Sequence, residues 1–120
     1  MSRRDDTVSL KDMLDYAREA VEMLGYGKPD ELTRNRMLQL ALTRLVECIG
    51  EAANRVSQEA RSRHTDLPWP KIIGMRNRLI HGYDIVDLDL LYHTILTDLS
   101  SLIEALERIV DDGTQDHAQR

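Results

Sequence analysis

From Leu88 onward the chain repeats one pattern. Leu88, Leu91, Tyr92, Ile95, Leu96, Leu99, Leu102, Ile103, Leu106, Ile109 and Val110 recur mostly three and four residues apart. At ~100° per residue this spacing gathers them on one broad helical face. The same period runs through Leu10, Met13, Leu14, Ala17, Ala20, Val21 and Leu24, and through Leu38, Ala41, Leu42, Leu45, Ile49, Ala52, Ala53 and Val56. Amphipathic helices of this kind bury their apolar stripes against one another, so the fold class is all-α. Glycine and proline are few and fall mainly between the runs.

Punctuation divides the chain into four helices. Ser9, with Asp12 three residues on, resembles a capping box, and Gly25-Tyr26-Gly27 ends the helix that follows. Residues 1–6 are polar and expected to fray. Pro29, Asp30 and Glu31 open the second and longest helix, roughly Asp30 to Arg63. One of its stripes fills a core. A second, mixed stripe carries Met37, Leu40, Arg44, Cys48, Glu51 and Arg55 and is either a solvated edge or, as the chain's small size favours, a partner surface. Pro68 and Pro70 break the chain, Trp69 between them plugs the end of the bundle, and a short third helix runs toward Gly82. Tyr83 to Asp87 connects, Asp87 caps the fourth helix, and that helix ends near Asp111 to Gly113. Residues 1–113 then make one domain, with a disordered polar tail at 114–120.

At 120 residues the chain supports a single core, and with no Phe and one Trp that core is aliphatic. No run is long and apolar enough to cross a bilayer, and the N-terminus has no signal-peptide core. The single cysteine, Cys48, excludes an intrachain disulfide and reads as small packing in a cytoplasmic protein. The net charge of -5 argues against a generic nucleic-acid binder. The charge is uneven, however. Arg61, Arg63, Lys71, Arg76 and Arg78 face one acidic residue, Asp66, between positions 61 and 81, which gives either a solvated edge or a local anion-binding patch.

The functional signal lies in Gly74-Met75-Arg76-Asn77-Arg78-Leu79-Ile80-His81-Gly82-Tyr83. On a wheel, Ile72, Ile73, Met75, Leu79 and Ile80 share a face, and Arg76 falls in its middle. A guanidinium in an apolar stripe is costly unless it is paired or faces something polar. Glu47 and Glu51 on the second helix are both candidates to hold it. Arg76 and His81 stand about 140° apart on an unbroken helix, so they converge only if the chain unwinds at Gly82 or two copies meet. Asn77 lies four residues before His81 and can orient the imidazole. The bland alternative is structural: an arginine bridging helix ends, a histidine at a C-terminus and a buried tyrosine. No His, Cys and Asp spacing makes a metal site, and no cofactor motif is present.

That stretch resembles the Arg-x4-His-x-Tyr signature of the HepT-like toxins of the HEPN superfamily. The Pro68-Trp69 lead-in and Ile49-Gly50-Glu51-Ala52-Ala53 are similar to that family too, and the likeness spans roughly residues 9 to 110. The resemblance implies a four-helix-type HEPN bundle that forms a homodimer with the two motifs facing one cleft. It implies a metal-independent endoribonuclease acting on RNA, and an antitoxin partner, a MNT-type nucleotidyltransferase, that transfers AMP to the motif tyrosine. By that resemblance Arg76 and His81 are catalytic, Asn77 assists and Tyr83 is the modification site. Arg78, Lys71 and Arg63 of the basic patch are candidates to bind RNA. A different class of function stays open: a non-catalytic helical adaptor that docks on a nucleotidyltransferase and binds nucleotide or RNA.

Overall fold

The structure, a computed structural model, describes residues 3–83 and 85–118, with the side chains of 5–83 and 85–111. Helix α1 (Arg3–Leu24) lies along α3 (Arg36–Arg55) and α8 (Leu99–Ala118), and these three long helices carry most of the packing. Met13, Ala17 and Ala20 of α1, Leu42, Val46 and Ile49 of α3, and Leu99 and Leu106 of α8 are fully buried. All but Val46 are residues of the predicted stripes, and the core is aliphatic apart from Trp69. The fold is the expected all-α bundle with one minute sheet.

Helix α1 begins earlier than expected. Ser9 is buried within it, and no capping box forms there. The cause is Asp6, whose carboxylate accepts from the backbone N–H of Ser57 at 2.8 Å and from its hydroxyl at 2.6 Å. Ser57 thereby anchors the first turn of α1, which sequence alone leaves frayed. Burial works to raise the Asp6 carboxyl, but the two Ser57 donors outweigh it and hold the group below its ordinary range.

The long second helix is interrupted twice. Helix α2 (Pro29–Arg34) stops at Asn35, whose side chain caps α3 by accepting from Leu38 N–H at 3.0 Å. Helix α3 stops at Val56. Ser57 then caps α4 (Gln58–Arg63), accepting from Ala60 N–H at 3.1 Å. The apolar period continues across both breaks, so periodicity alone hides them; the capping residues reveal them. Arg61 reaches back from α4 to the Val56, Ala53 and Asn54 carbonyls and covers the exposed end of α3. Its guanidinium also lies over Trp69, 5.9 Å from the ring centroid. Trp69 is buried as expected, and its indole N–H donates to the His64 carbonyl.

Helix α5 (Trp69–Ile73) and helix α6 (Met75–Leu79) meet at Gly74. The motif helix ends at Leu79, short of the expected Gly82. Ile80–His81 forms strand β1, paired antiparallel with β2 (Ile85–Val86) in the register Ile80↔Val86, His81↔Ile85. β-Branched Ile80, Ile85 and Val86 prefer the extended state, and Gly82 at φ +62° supplies the turn. Asp87 N–H donates to Leu79 O at 2.7 Å and closes the hairpin onto the end of α6.

Helix α7 (Leu88–His93) is capped by Asp87 as expected and passes through a π-helical segment, Thr94–Asp98, into α8. Helix α8 reaches Ala118, beyond the end expected near 111–113; the side chains of 112–118 and all of 119 and 120 lie outside the described residues.

The Asp6–Ser57 clasp makes a direct stability prediction. Ser57→Ala removes the α4 cap and the hydroxyl donor to Asp6, and is expected to cost about 2 kcal/mol in urea denaturation. A carboxyl lowered in the folded state stabilises above its unfolded value, near 3.8, and that contribution fades as pH falls through the lower folded value. Acid unfolding of Ser57→Ala should therefore depend less steeply on pH below that value.

Candidate active site

Three elements set the site. The crossing of α3 and α5 comes first. A Cβ on Gly50 would lie 3.0 Å from the Ile73 carbonyl oxygen and 3.3 Å from that of Ile72, so any side chain there would push α5 outward by a few tenths of an ångström. The approach carries α6 over the same stretch of α3. Met75 and Leu79 of α6 are buried, and Arg76, beside them, is turned toward α3.

There Arg76 Nε stands 3.0 Å from Glu47 Oε2. Of the two carboxylates open in the sequence, the structure selects Glu47. Glu51 instead meets Arg44, whose Nη1 lies 3.4 Å from Glu51 Oε1 and also donates to Glu47 Oε1. Glu47 is thus shared by Arg44 and Arg76. The Arg44 guanidinium is held above its ordinary range, first by its hydrogen bond to Glu47. Arg76 keeps 39% of its side chain in solvent. An ion pair so exposed is worth roughly 0–1 kcal/mol, so its consequence is position more than stability. The approach is through Nε, and no described hydrogen bond occupies either terminal nitrogen of Arg76. The terminal fork is therefore without a described partner.

Arg76 lines a groove of about 220 Å³ between α3, α6 and the hairpin. Arg36, Thr43, Arg44, Glu47 and Arg76 form its polar lining, with Leu40, Ile80 and Val86 on the apolar side. The expectation that Arg76 sits on an apolar face is met in part: the face is the wall of a solvent-open groove.

His81 stands on β1, exposed, with Nε2 3.4 Å from Asp87 Oδ2. Asp87 Oδ1 meanwhile accepts from Leu90 N–H at 3.0 Å. One carboxylate therefore caps α7 and faces the imidazole. The Leu90 bond chiefly, and His81 with it, keep the Asp87 carboxyl below its usual range. Asn77 was expected to orient His81; it is exposed and makes no described hydrogen bond to it. The i, i+4 relation fails because the helix ends between the two residues. Among the described residues no hydrogen bond or ion pair joins Arg76 to His81. Tyr83 is 98% exposed at the hairpin tip, which excludes the buried-tyrosine reading.

The remaining basic candidates are engaged locally. Arg78 donates to the Lys71 carbonyl at 2.9 Å, the Lys71 ammonium lies 3.8 Å from Asp98, and Arg63 pairs with Glu59 at 3.0 Å. Sequence reasoning missed Arg36 as a groove residue and Asp87 as the neighbour of His81. A signal for the cationic wall was present: Arg36, Thr43, Glu47 and Leu40 fall three, four or seven residues apart on one helix. Cys48 is half-buried, and burial pushes its thiol up, away from reactivity.

Comparison with known proteins gives the class of this helical bundle. A family model described as "Ribonuclease HepT-like" matches residues 13–109. The chain belongs to the ribonuclease HepT-like family. It is similar to "Putative RNase MJ1380" of Methanocaldococcus jannaschii, 32% identical over 107 residues, covering 89% of this chain and 98% of the relative. It is similar also to "Probable ribonuclease HepT" of Thermococcus cleftensis, 32% identical over 110 residues, covering 84% and 96%. No solved structure gives a significant match. No helix among the described residues is long and apolar enough to cross a membrane.

Asp87 offers a test of the geometry. Asp87→Ala should lower the thermal midpoint by removing the α7 cap, and should free the imidazole. Asp87→Asn should recover the midpoint, because an amide oxygen still caps, while leaving His81 without its carboxylate. Thermal melts and the His81 ring signals in NMR separate the two effects.

Proposed function

We propose that this chain is a metal-independent endoribonuclease, acting as a homodimer, and the toxin of a pair whose antitoxin is a MNT-type nucleotidyltransferase. The observation that carries the reading is Arg76. Glu47 steadies it through Nε, no described bond uses its terminal nitrogens, and it lines an open groove with Ile80 of the strand that bears His81. The family and its relatives support RNA as the substrate class.

RNA brings its own nucleophile. An imidazole takes the proton of the 2′-hydroxyl, whose oxygen bonds to phosphorus as the bond to the 5′-oxygen breaks. The leaving 5′-oxygen receives a proton from a protonated imidazole, and a second His81 across a dimer supplies it. The products are a 2′,3′-cyclic phosphate and a 5′-hydroxyl. Arg76, permanently charged, binds the negative charge that builds on the phosphoryl oxygens, an electrostatic contribution that needs no metal ligand. Asp87 orients the imidazole from within the same protomer, and Asn77, exposed on α6, faces substrate. Lys71, Arg63 and Arg78 add long-range attraction for RNA, with their local partners screening part of it.

Tyr83 fits the modification site. Its hydroxyl is accessible on the hairpin two residues from His81. Transfer of AMP from ATP to the phenolic oxygen, with pyrophosphate leaving, places a bulky anion beside the cleft. It repels substrate phosphate and occupies its path.

Arg76→Ala should lower cleavage of a single-stranded RNA by about 10²–10³-fold. His81→Ala should lower it by about 10²–10⁴-fold. Both variants should keep the helical circular-dichroism spectrum and relieve growth arrest on expression. Cleavage at the normal rate by either variant refutes the assignment. Tyr83→Phe should cleave RNA normally and stay active when incubated with the nucleotidyltransferase and ATP; silencing as complete as that of the parent chain contradicts the modification site.

A further inference from the structure

We infer that Arg36 and Arg44 form a second phosphate-binding subsite beside Arg76, one that holds the phosphodiester next to the scissile one on a single-stranded RNA. The inference rests on the ribonuclease reading and extends it to substrate grip.

The three guanidinium groups line one groove against one carboxylate, Glu47, on a chain whose net charge is -5. Their states differ. Arg76 is engaged at Nε and Arg44 at Nη1, so each retains donors that no described bond uses. Arg36 is exposed, and no hydrogen bond or ion pair among the described residues holds its side chain. An unpaired arginine sharing a groove with two braced ones is available to an anion. Planar guanidinium forks suit phosphate oxygens. The opposite wall is apolar: Leu40, 53% exposed, with Ile80 and Val86. Apolar surface beside phosphate binders accommodates sugar and base faces without reading sequence. The volume, about 220 Å³, falls below the ~300–1,000 Å³ typical of small-molecule pockets. That size favours one phosphate and its sugar passing through over an enclosed cofactor. Position also separates the roles. Arg36 opens α3, about 16 Å along the helix axis from Glu47, which holds Arg76, so Arg36 grips a flanking phosphate and Arg76 the reacting one.

Arg36 gives the cleaner variant, because replacing Arg44 also frees Glu47. Binding of a fluorescent single-stranded RNA is measured across a salt series, with His81→Ala in the background to stop turnover. Adding Arg36→Gln should weaken binding about tenfold and reduce the slope of log affinity against log salt by about 0.7, the share of one single-strand phosphate contact. Arg36→Lys should recover the slope. In the active protein Arg36→Gln should raise KM more than it lowers kcat, the opposite of Arg76→Ala. If the active protein cleaves RNA but Arg36→Gln binds with unchanged affinity and slope, the subsite is wrong and the ribonuclease reading stands. If the protein binds RNA through Arg36 but cleaves none, the subsite stands and the ribonuclease reading fails. Neither cleavage nor binding overturns both.

Discussion

Helix backbones come as close as α3 and α5 do without strain where the residue at the crossing lacks a side chain. Gly50 meets that requirement, with the Ile72 and Ile73 carbonyls where a Cβ would have its neighbours. From that contact the rest follows in order. Helix α5 is pinned, α6 continues from it across Gly74, and Met75 and Leu79 bury beside α3. Arg76 is then delivered to Glu47. The ion pair adds little stability, because it is open to water. Its weight is geometric: one nitrogen of the guanidinium is engaged, and no described bond uses the other two.

The histidine depends on a different device. A helix that ran on to Gly82 would have kept Arg76 and His81 on diverging sides. The chain instead turns extended at Ile80, and the two-residue ladder with Ile85 and Val86 lifts His81 out of the helical register. Asp87 ties this hairpin down at both ends, through its N–H to Leu79 and its carboxylate to Leu90 and His81. One residue thus couples the start of α7 to the placement of the imidazole. Tyr83 occupies the tip, where no packing restrains its hydroxyl.

Much of this was legible in the residues. The stripes named the core because aliphatic periodicity reports burial directly, and Gly25, Gly82 and Asp87 marked turns and a cap by their own conformational preferences. The interruptions at Asn35 and Ser57 were not legible from periodicity, since a short capped break leaves the apolar phase almost intact. The early start of α1 was invisible because its cause, Ser57, lies 51 residues away. The hairpin was missed because four extended residues between helices make no alternating run, although the β-branched trio was a hint. At the site, an arginine on an apolar face correctly announced a partner. Choosing Glu47 over Glu51 required the crossing of α3 and α6, which is tertiary information. Arg36 went unremarked because its importance comes from sharing a groove with residues 40 positions away.

The central claim is that a charged guanidinium and an imidazole suffice to cut RNA with the 2′-hydroxyl as nucleophile. The chemistry of the ends tests it most directly. Purified protein is incubated with a single-stranded RNA in excess chelator, and the fragments are resolved by mass. The account predicts undiminished cleavage, with 2′,3′-cyclic phosphate on one fragment and 5′-hydroxyl on the other. Fragments bearing 3′-hydroxyl and 5′-phosphate, or activity abolished by the chelator, would contradict it.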